Sequence, residues 1–205
     1  ARAVDRKVAP VARSVPLLTE LPLTENVKRW SADTLADLHE VQAGTLSPKD
    51  LIFGFLEGPP GTGKTLIAES LARTANWHFV STSIGAWFAS GDGALGGVAK
   101  NLKSFVDVIM SNEPAIGFLD ELDALPNRAT MDNRGLDWWT PVITLFLTEI
   151  DRLRNSGKRV LLLGATNYCE RLDSALIRPG RLQQRITVLP PETQSMHLSD
   201  GMRLD

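Results

Sequence analysis

The stretch Gly58-Pro59-Pro60-Gly61-Thr62-Gly63-Lys64-Thr65 constrains this chain more than any other. It fits G-x-x-x-x-G-K-[ST], a phosphate-binding loop that works between a buried strand and the start of a helix. Both neighbours are present. Upstream, Leu51-Ile52-Phe53-Gly54-Phe55-Leu56 is an apolar run of the kind that forms a parallel strand covered on both faces. Downstream, Leu66, Ile67, Ser70 and Leu71 recur at helical spacing, with Ala68 and Ala72 between them. The glycines let backbone N–H groups and a helix N-terminus converge on phosphate oxygens. Lys64 adds a mobile cation for the β- and γ-phosphates, and Thr65 a hydroxyl for Mg²⁺. The loop and Leu66 after it are therefore the expected nucleotide contacts.

The rest of the chain alternates strand and helix signals. Trp77–Thr82, Ala115–Leu119, Val160–Leu163 and Arg185–Leu189 read as further strands. Trp30, Leu35, Leu38 and Val41 mark a helix that starts near Ser31 or Asp33 and ends at Gly44. Val98, Leu102, Phe105, Val106 and Ile109 mark a second amphipathic helix. A third is expected to open at Thr140-Pro141, a cap followed by proline, and to bury Val142, Ile143, Phe146, Ile150 and Leu153. Residues 91–97 read as a glycine-rich loop and 126–137 as an exposed one. The expected fold is a five-stranded, parallel, doubly wound α/β sheet in a three-layer sandwich.

A chain of 205 residues accommodates one such core. Residues 17–191 are assigned to it, with a linker or disordered lead-in at 1–16 and a tail at 192–205. A net charge of −2 provides no general attraction for nucleic acid or an anionic membrane. The single cysteine, Cys169, suits a reducing compartment, and no apolar run reaches membrane-spanning length. A cytoplasmic location is expected.

Three further places carry chemistry. Asp120-Glu121 follows four apolar strand residues, so its carboxylates emerge at the sheet edge where ligands of open α/β sheets bind. Asp120 is the candidate Mg²⁺ partner, and Glu121 can take a proton from the attacking water. Asn167 ends the Gly164-Ala165-Thr166-Asn167 run at the same edge, where an amide can bond to both γ-phosphate and water. Arg178 and Arg181 flank a Pro-Gly bend, an arrangement suited to arginine fingers. Each place alone has a plainer reading: a solvated strand end, an ordinary turn amide and an exposed basic turn.

Together these motifs resemble the AAA ATPases. Gly58–Thr65, Phe118-Leu119-Asp120-Glu121-Leu122-Asp123, Gly164–Asn167 and Ala175-Leu176-Ile177-Arg178-Pro179-Gly180-Arg181 stand in that family's order and at similar spacing. Trp138–Ile143 and the lead-in from Leu18 to Thr45 resemble the FtsH-like branch, often labelled "ATP-dependent Zn protease". The resemblance implies ATP and Mg²⁺ as ligands. It makes Lys64 and Thr65 the phosphate and metal contacts, Asp120 the metal partner and Glu121 the catalytic base. Asn167 becomes the γ-phosphate sensor. Arg178 and Arg181 become fingers acting on a neighbouring subunit, in a homo-hexameric ring formed when the family's helical lid is present.

Three departures accompany the resemblance. No H-E-x-x-H occurs; His39, His78 and His197 lie far apart. The helical lid expected after the fifth strand is truncated at Asp205. The position of the family's substrate-gripping aromatic falls near Gly91, with Trp87 and Phe88 expected as core or lining residues. The expected function is Mg²⁺-dependent ATP hydrolysis by a motor core that remodels or unfolds protein substrates. The alternatives are a nucleotide-gated scaffold with little turnover, the motor module of an ATP-dependent metalloprotease, and another P-loop enzyme such as a GTPase or small-molecule kinase.

Overall fold

The computed structural model describes residues 7–89 and 95–190. Its five strands are β1 (Gly54–Glu57), β2 (His78–Ser83), β3 (Ala115–Asp120), β4 (Val160–Thr166) and β5 (Gln184–Thr187). They form one all-parallel sheet in the order β2-β3-β4-β1-β5. β3 and β4 are central, and both are buried almost throughout because helices cover both faces. β2 is an edge strand and only half-buried.

The helices are α1 (Glu25–Ala43), α2 (Lys64–Ala75), α3 (Ile84–Ala89), α4 (Leu95–Ser111) and α5 (Asn133–Asn155). From β1 the chain crosses through α2 to the far edge at β2, then returns through α4 and α5 by way of β3 and β4. Right-handed crossovers made in opposite directions place α2 on one face and α4 and α5 on the other. α1 packs on α2, and α4 on α5, completing three layers.

Several boundaries differ from the sequence reading. α1 begins at Glu25 after Thr24, before the expected Ser31 or Asp33, and closes as expected at Gly44. The expected helix start at Thr140-Pro141 is wrong. Asp132 caps α5 instead, its carboxylate accepting from the Gly135 N–H at 2.8 Å, and Pro141 lies inside the helix. The expected loop over 126–137 therefore contains a short 3-10 turn at Arg128–Thr130 and the start of α5. Of the glycine-rich stretch, residues 91–94 lie outside the described residues, while 95–97 already belong to α4. Trp87 is buried on α3, with ring centroids 6.3 Å from Phe105 and 6.0 Å from Phe146.

Residues 7–16 run without helix or strand. The Val8 N–H donates to Asn112 Oδ1 at 2.8 Å, and Arg73 donates to the Val15 carbonyl. Residues 191–205, including the expected tail, lie outside the described residues.

Candidate active site at the carboxyl edge of the sheet

Strand register brings the functional loops to one level. Glu57 of β1 pairs with Thr166 of β4, Leu119 of β3 with Gly164 of β4, and Ser83 of β2 with Asp120 of β3. The loops after β1, β3 and β4 therefore open on the same edge. The strand order reverses beside β1, and ligands of open α/β sheets bind at such a crevice.

The phosphate loop leaves β1 at Gly58, whose N–H donates to the Thr166 carbonyl at 3.2 Å. A side chain on Gly58 would collide with the Val188 carbonyl, so only glycine fits there. Gly63 then starts α2 from a left-handed conformation, φ 82°, which a glycine adopts without strain. The first N–H groups of α2 face the loop and have no partner within the helix.

Lys64 opens α2 and is only 8% exposed. Its Nζ donates to the carbonyls of Gly58 at 2.7 Å and Pro59 at 3.0 Å, and to Asn167 Oδ1 at 2.8 Å. Burial pushes the ammonium pKa down, against the opposing pull of Asp120 and Asp123. Thr65 Oγ1 lies 3.2 Å from Asp120 Oδ2, to which it donates. The loop cation, hydroxyl, acid and amide expected to meet a nucleotide thus lie together.

Glu121 is exposed beside them, with a left-handed backbone at φ 57° and ψ 48°. That conformation is uncommon for a residue with a side chain. Its N–H donates to Asp120 Oδ1 at 2.8 Å, and its carboxylate accepts from Ser83 Oγ.

Arg178 and Arg181 stand apart from this group and differ from each other. Arg178 is exposed, and its guanidinium has no hydrogen-bond or ion-pair partner among the described residues. Arg181 is half-buried and bonded within its own chain. Its Nη2 donates to Asp151 Oδ2 at 3.1 Å, Nε to Asp151 Oδ1 at 3.3 Å and Nη1 to the Ala175 carbonyl at 3.0 Å.

The structure adds residues that motif reading did not single out. Asp123 Oδ1 accepts from Thr166 Oγ1 at 2.7 Å and from the Asn167 N–H at 3.2 Å, fixing the turn that presents Asn167. A cleft of about 190 Å³ beside the loop is lined by Leu21, Pro22, Leu23, Val27, Leu66 and Val188, with Gly61 to Gly63 at its edge. Its lead-in residues carry no nucleotide-binding signature in sequence. The lead-in is tied to the core at both ends: the Leu18 N–H donates to Thr74 Oγ1 of α2 at 3.1 Å, and Asn26 Nδ2 donates to the Thr187 carbonyl of β5 at 2.7 Å.

Residues 55–189 match the family model described as "ATPase family associated with various cellular activities (AAA)". The chain belongs to the AAA family. The match encloses every site residue named above except the lead-in wall of the cleft. This AAA core is 39% identical over 157 residues to the "ATP-dependent zinc metalloprotease FtsH" of Mycoplasmopsis synoviae (strain 53), covering 75% of this chain and 22% of that relative. It is 35% identical over 152 residues to the "ATP-dependent zinc metalloprotease FtsH 2" of Thermoanaerobacter sp. (strain X514), covering 74% of this chain and 28% of the relative. The chain spans about a quarter of the length of these relatives. No described helix of this AAA core is long and apolar enough to cross a membrane.

Proposed function

We propose that this AAA core binds ATP with Mg²⁺ and hydrolyses it to ADP and phosphate. The supporting observation is the convergence of Lys64, Thr65, Asp120 and Asn167, four side chains from three loops joined by hydrogen bonds of 2.8 and 3.2 Å. Thr65 and Asp120 are hard oxygen donors, and one carboxylate with one hydroxyl suits a metal whose other ligands are phosphate oxygens and water. When bound, Mg²⁺ neutralises charge on the phosphate oxygens.

The loop N–H groups and Lys64 hold the phosphates, Lys64 exchanging carbonyl contacts for phosphate oxygens. Glu121 accepts the proton of the attacking water, and Asn167 orients that water against the γ-phosphate. The adenine lies in the apolar cleft between Leu21–Val27 and Leu66. Arg178 acts on the nucleotide of an adjacent subunit in a homo-hexameric ring, stabilising charge on the transferring group.

The cellular use is remodelling or unfolding of protein substrates, in the reducing cytoplasm that a lone thiol suits. The FtsH names of the relatives favour a second reading, in which the chain is the motor module of an ATP-dependent metalloprotease. Steady-state phosphate release with ATP and with GTP tests the activity. Nucleotide binding without turnover would convert the reading to a gated scaffold, and a preference for GTP would remove it.

A further inference from the structure

The loop after β3 and the loop after β4 are joined at three successive points. Nearest the sheet, Asp123 accepts from Thr166 and Asn167. Farther out, Asn127 Nδ2 donates to the Leu172 carbonyl at 3.2 Å. Farthest, Arg128 meets Asp173. Arg128 Nε donates to Asp173 Oδ2 at 2.6 Å and Nη2 to Oδ1 at 2.9 Å, and the Arg128 N–H reaches Oδ2 at 3.2 Å.

Asp173 is 2% exposed, and its fourth bond goes to its own turn, where Oδ1 accepts from the Ala175 N–H at 3.0 Å. The Leu176 N–H donates to the Asp173 carbonyl at 2.9 Å. One carboxylate thus binds the Arg128 fork and starts the turn that carries Arg178. A two-pronged guanidinium–carboxylate contact fixes direction as well as distance, which a single ammonium contact does not.

We propose that Arg128 and Asp173 are a positioning pair for hydrolysis. They make the loop carrying Asp120 and Glu121 and the turn carrying Arg178 a single rigid body, so that the acid and the arginine are set by one geometry. Among the described residues no hydrogen bond of either side chain goes to the phosphate loop, so ground-state nucleotide binding is left to Lys64 and its neighbours. The inference rests on the ATPase reading above.

The test uses the full-length protein and compares Arg128→Ala, Arg128→Lys, Asp173→Asn and the Arg128→Ala/Asp173→Asn double variant. Misplacing catalytic groups from a distance costs up to about 100-fold in rate, so Arg128→Ala is expected to lower kcat by about 10- to 100-fold. KM for ATP is expected to stay within about twofold, since binding shared by ground and transition states is untouched. The double variant is expected to be no worse than the poorer single one, because the two residues act as a unit. Arg128→Lys, which retains charge but loses the fork, is expected to recover part of kcat and guards against a misfolded alanine variant. Unchanged kcat in Arg128→Ala, or a loss confined to KM, overturns the proposal.

Hydrogen exchange at the Ala175 and Leu176 amides provides a readout independent of turnover. It is expected to accelerate in Arg128→Ala, and unchanged protection also overturns the pair. Lys64→Ala separates the underlying reading: turnover that survives this change at subsaturating ATP places hydrolysis outside this phosphate loop and removes the site assignment, while exchange at Ala175 still decides the link.

Discussion

Lys64 Nζ lies 2.8 Å from Asn167 Oδ1, so the cation of the phosphate loop bonds directly to the amide at the end of β4. The contact follows from the pairing of β1 with β4, which sets Glu57 opposite Thr166 and brings the two following loops together. All three ammonium hydrogens have protein acceptors, so nucleotide binding requires Lys64 to exchange partners. Lys64→Ala removes the only cation in the loop. Hydrogen bonds to charged groups contribute about 1.5–3 kcal/mol, so ATP affinity is expected to fall by about 10- to 150-fold. Calorimetric titration with ATP and Mg²⁺ measures this, and unaltered affinity would remove Lys64 from the site.

Glu121→Gln is expected to keep ATP affinity and to cut phosphate release by about 100- to 10,000-fold, the usual contribution of a positioned acid–base group. Gly85→Ala probes the same carboxylate from behind. An added Cβ would run into Glu121 Oε2, the far end of a flexible side chain, so the fold can absorb it while the carboxylate must move. Turnover is expected to fall with little change in melting temperature. A Gly85→Ala protein with full turnover would show that the position of Glu121 is not critical.

The sheet and phosphate loop were legible in sequence because each rests on local patterns. Parallel strands covered on both faces are apolar runs, and the loop is bounded by glycines needed for close approach and left-handed turns. The α5 start was not legible. Thr140-Pro141 has favourable cap chemistry, but Asp132 caps the helix earlier and tertiary packing retains the proline inside. The lead-in wall of the cleft was equally hidden, since Leu21, Leu23 and Val27 have no local signature and lie beside the loop in a stretch held by long-range bonds at Leu18 and Asn26. The family resemblance and the matched AAA model agree, since the phosphate loop, Asp120-Glu121, Asn167 and the Arg178–Arg181 turn all fall within residues 55–189.

Acid titration offers a test of the Arg128–Asp173 contact that requires no nucleotide. The Arg128 guanidinium and backbone N–H groups lower the Asp173 pKa from 3.8 to about 2. The folded value is depressed, so the unfolded chain binds the proton first as pH falls. The resulting stability, about 2 kcal/mol for a buried group, is fully present above pH 3.8 and is lost as pH approaches 2. Arg128→Ala is expected to flatten this part of the profile. Urea unfolding at pH 6, 4 and 3 measures it, and identical wild-type and variant slopes would show that the pair contributes nothing to folding.

The two arginines of the Pro-Gly bend are expected to separate experimentally. Arg181 is held by Asp151 and the Ala175 carbonyl, so Arg181→Ala is expected to lower stability by about 1 kcal/mol, the scale of a partly exposed charged contact. Arg178 has no such partner among the described residues, and Arg178→Ala is expected to leave stability unchanged. Its effect should appear in turnover. An arginine supplied in trans to a transferring phosphoryl group contributes roughly 10³–10⁵ in rate while adding little to ground-state binding. In a ring-forming full-length protein, Arg178→Ala is therefore expected to retain ATP affinity and lose hydrolysis. Mixing Arg178→Ala subunits with Lys64→Ala subunits decides the direction of action. At ATP concentrations below the weakened Kd of the Lys64→Ala site each is expected to be inactive alone, yet a mixed ring contains interfaces that pair an intact phosphate loop with an intact Arg178, and these are expected to restore part of the activity. If mixed rings form and no ratio restores turnover, Arg178 does not act across the boundary, and its exposed position is that of a surface turn.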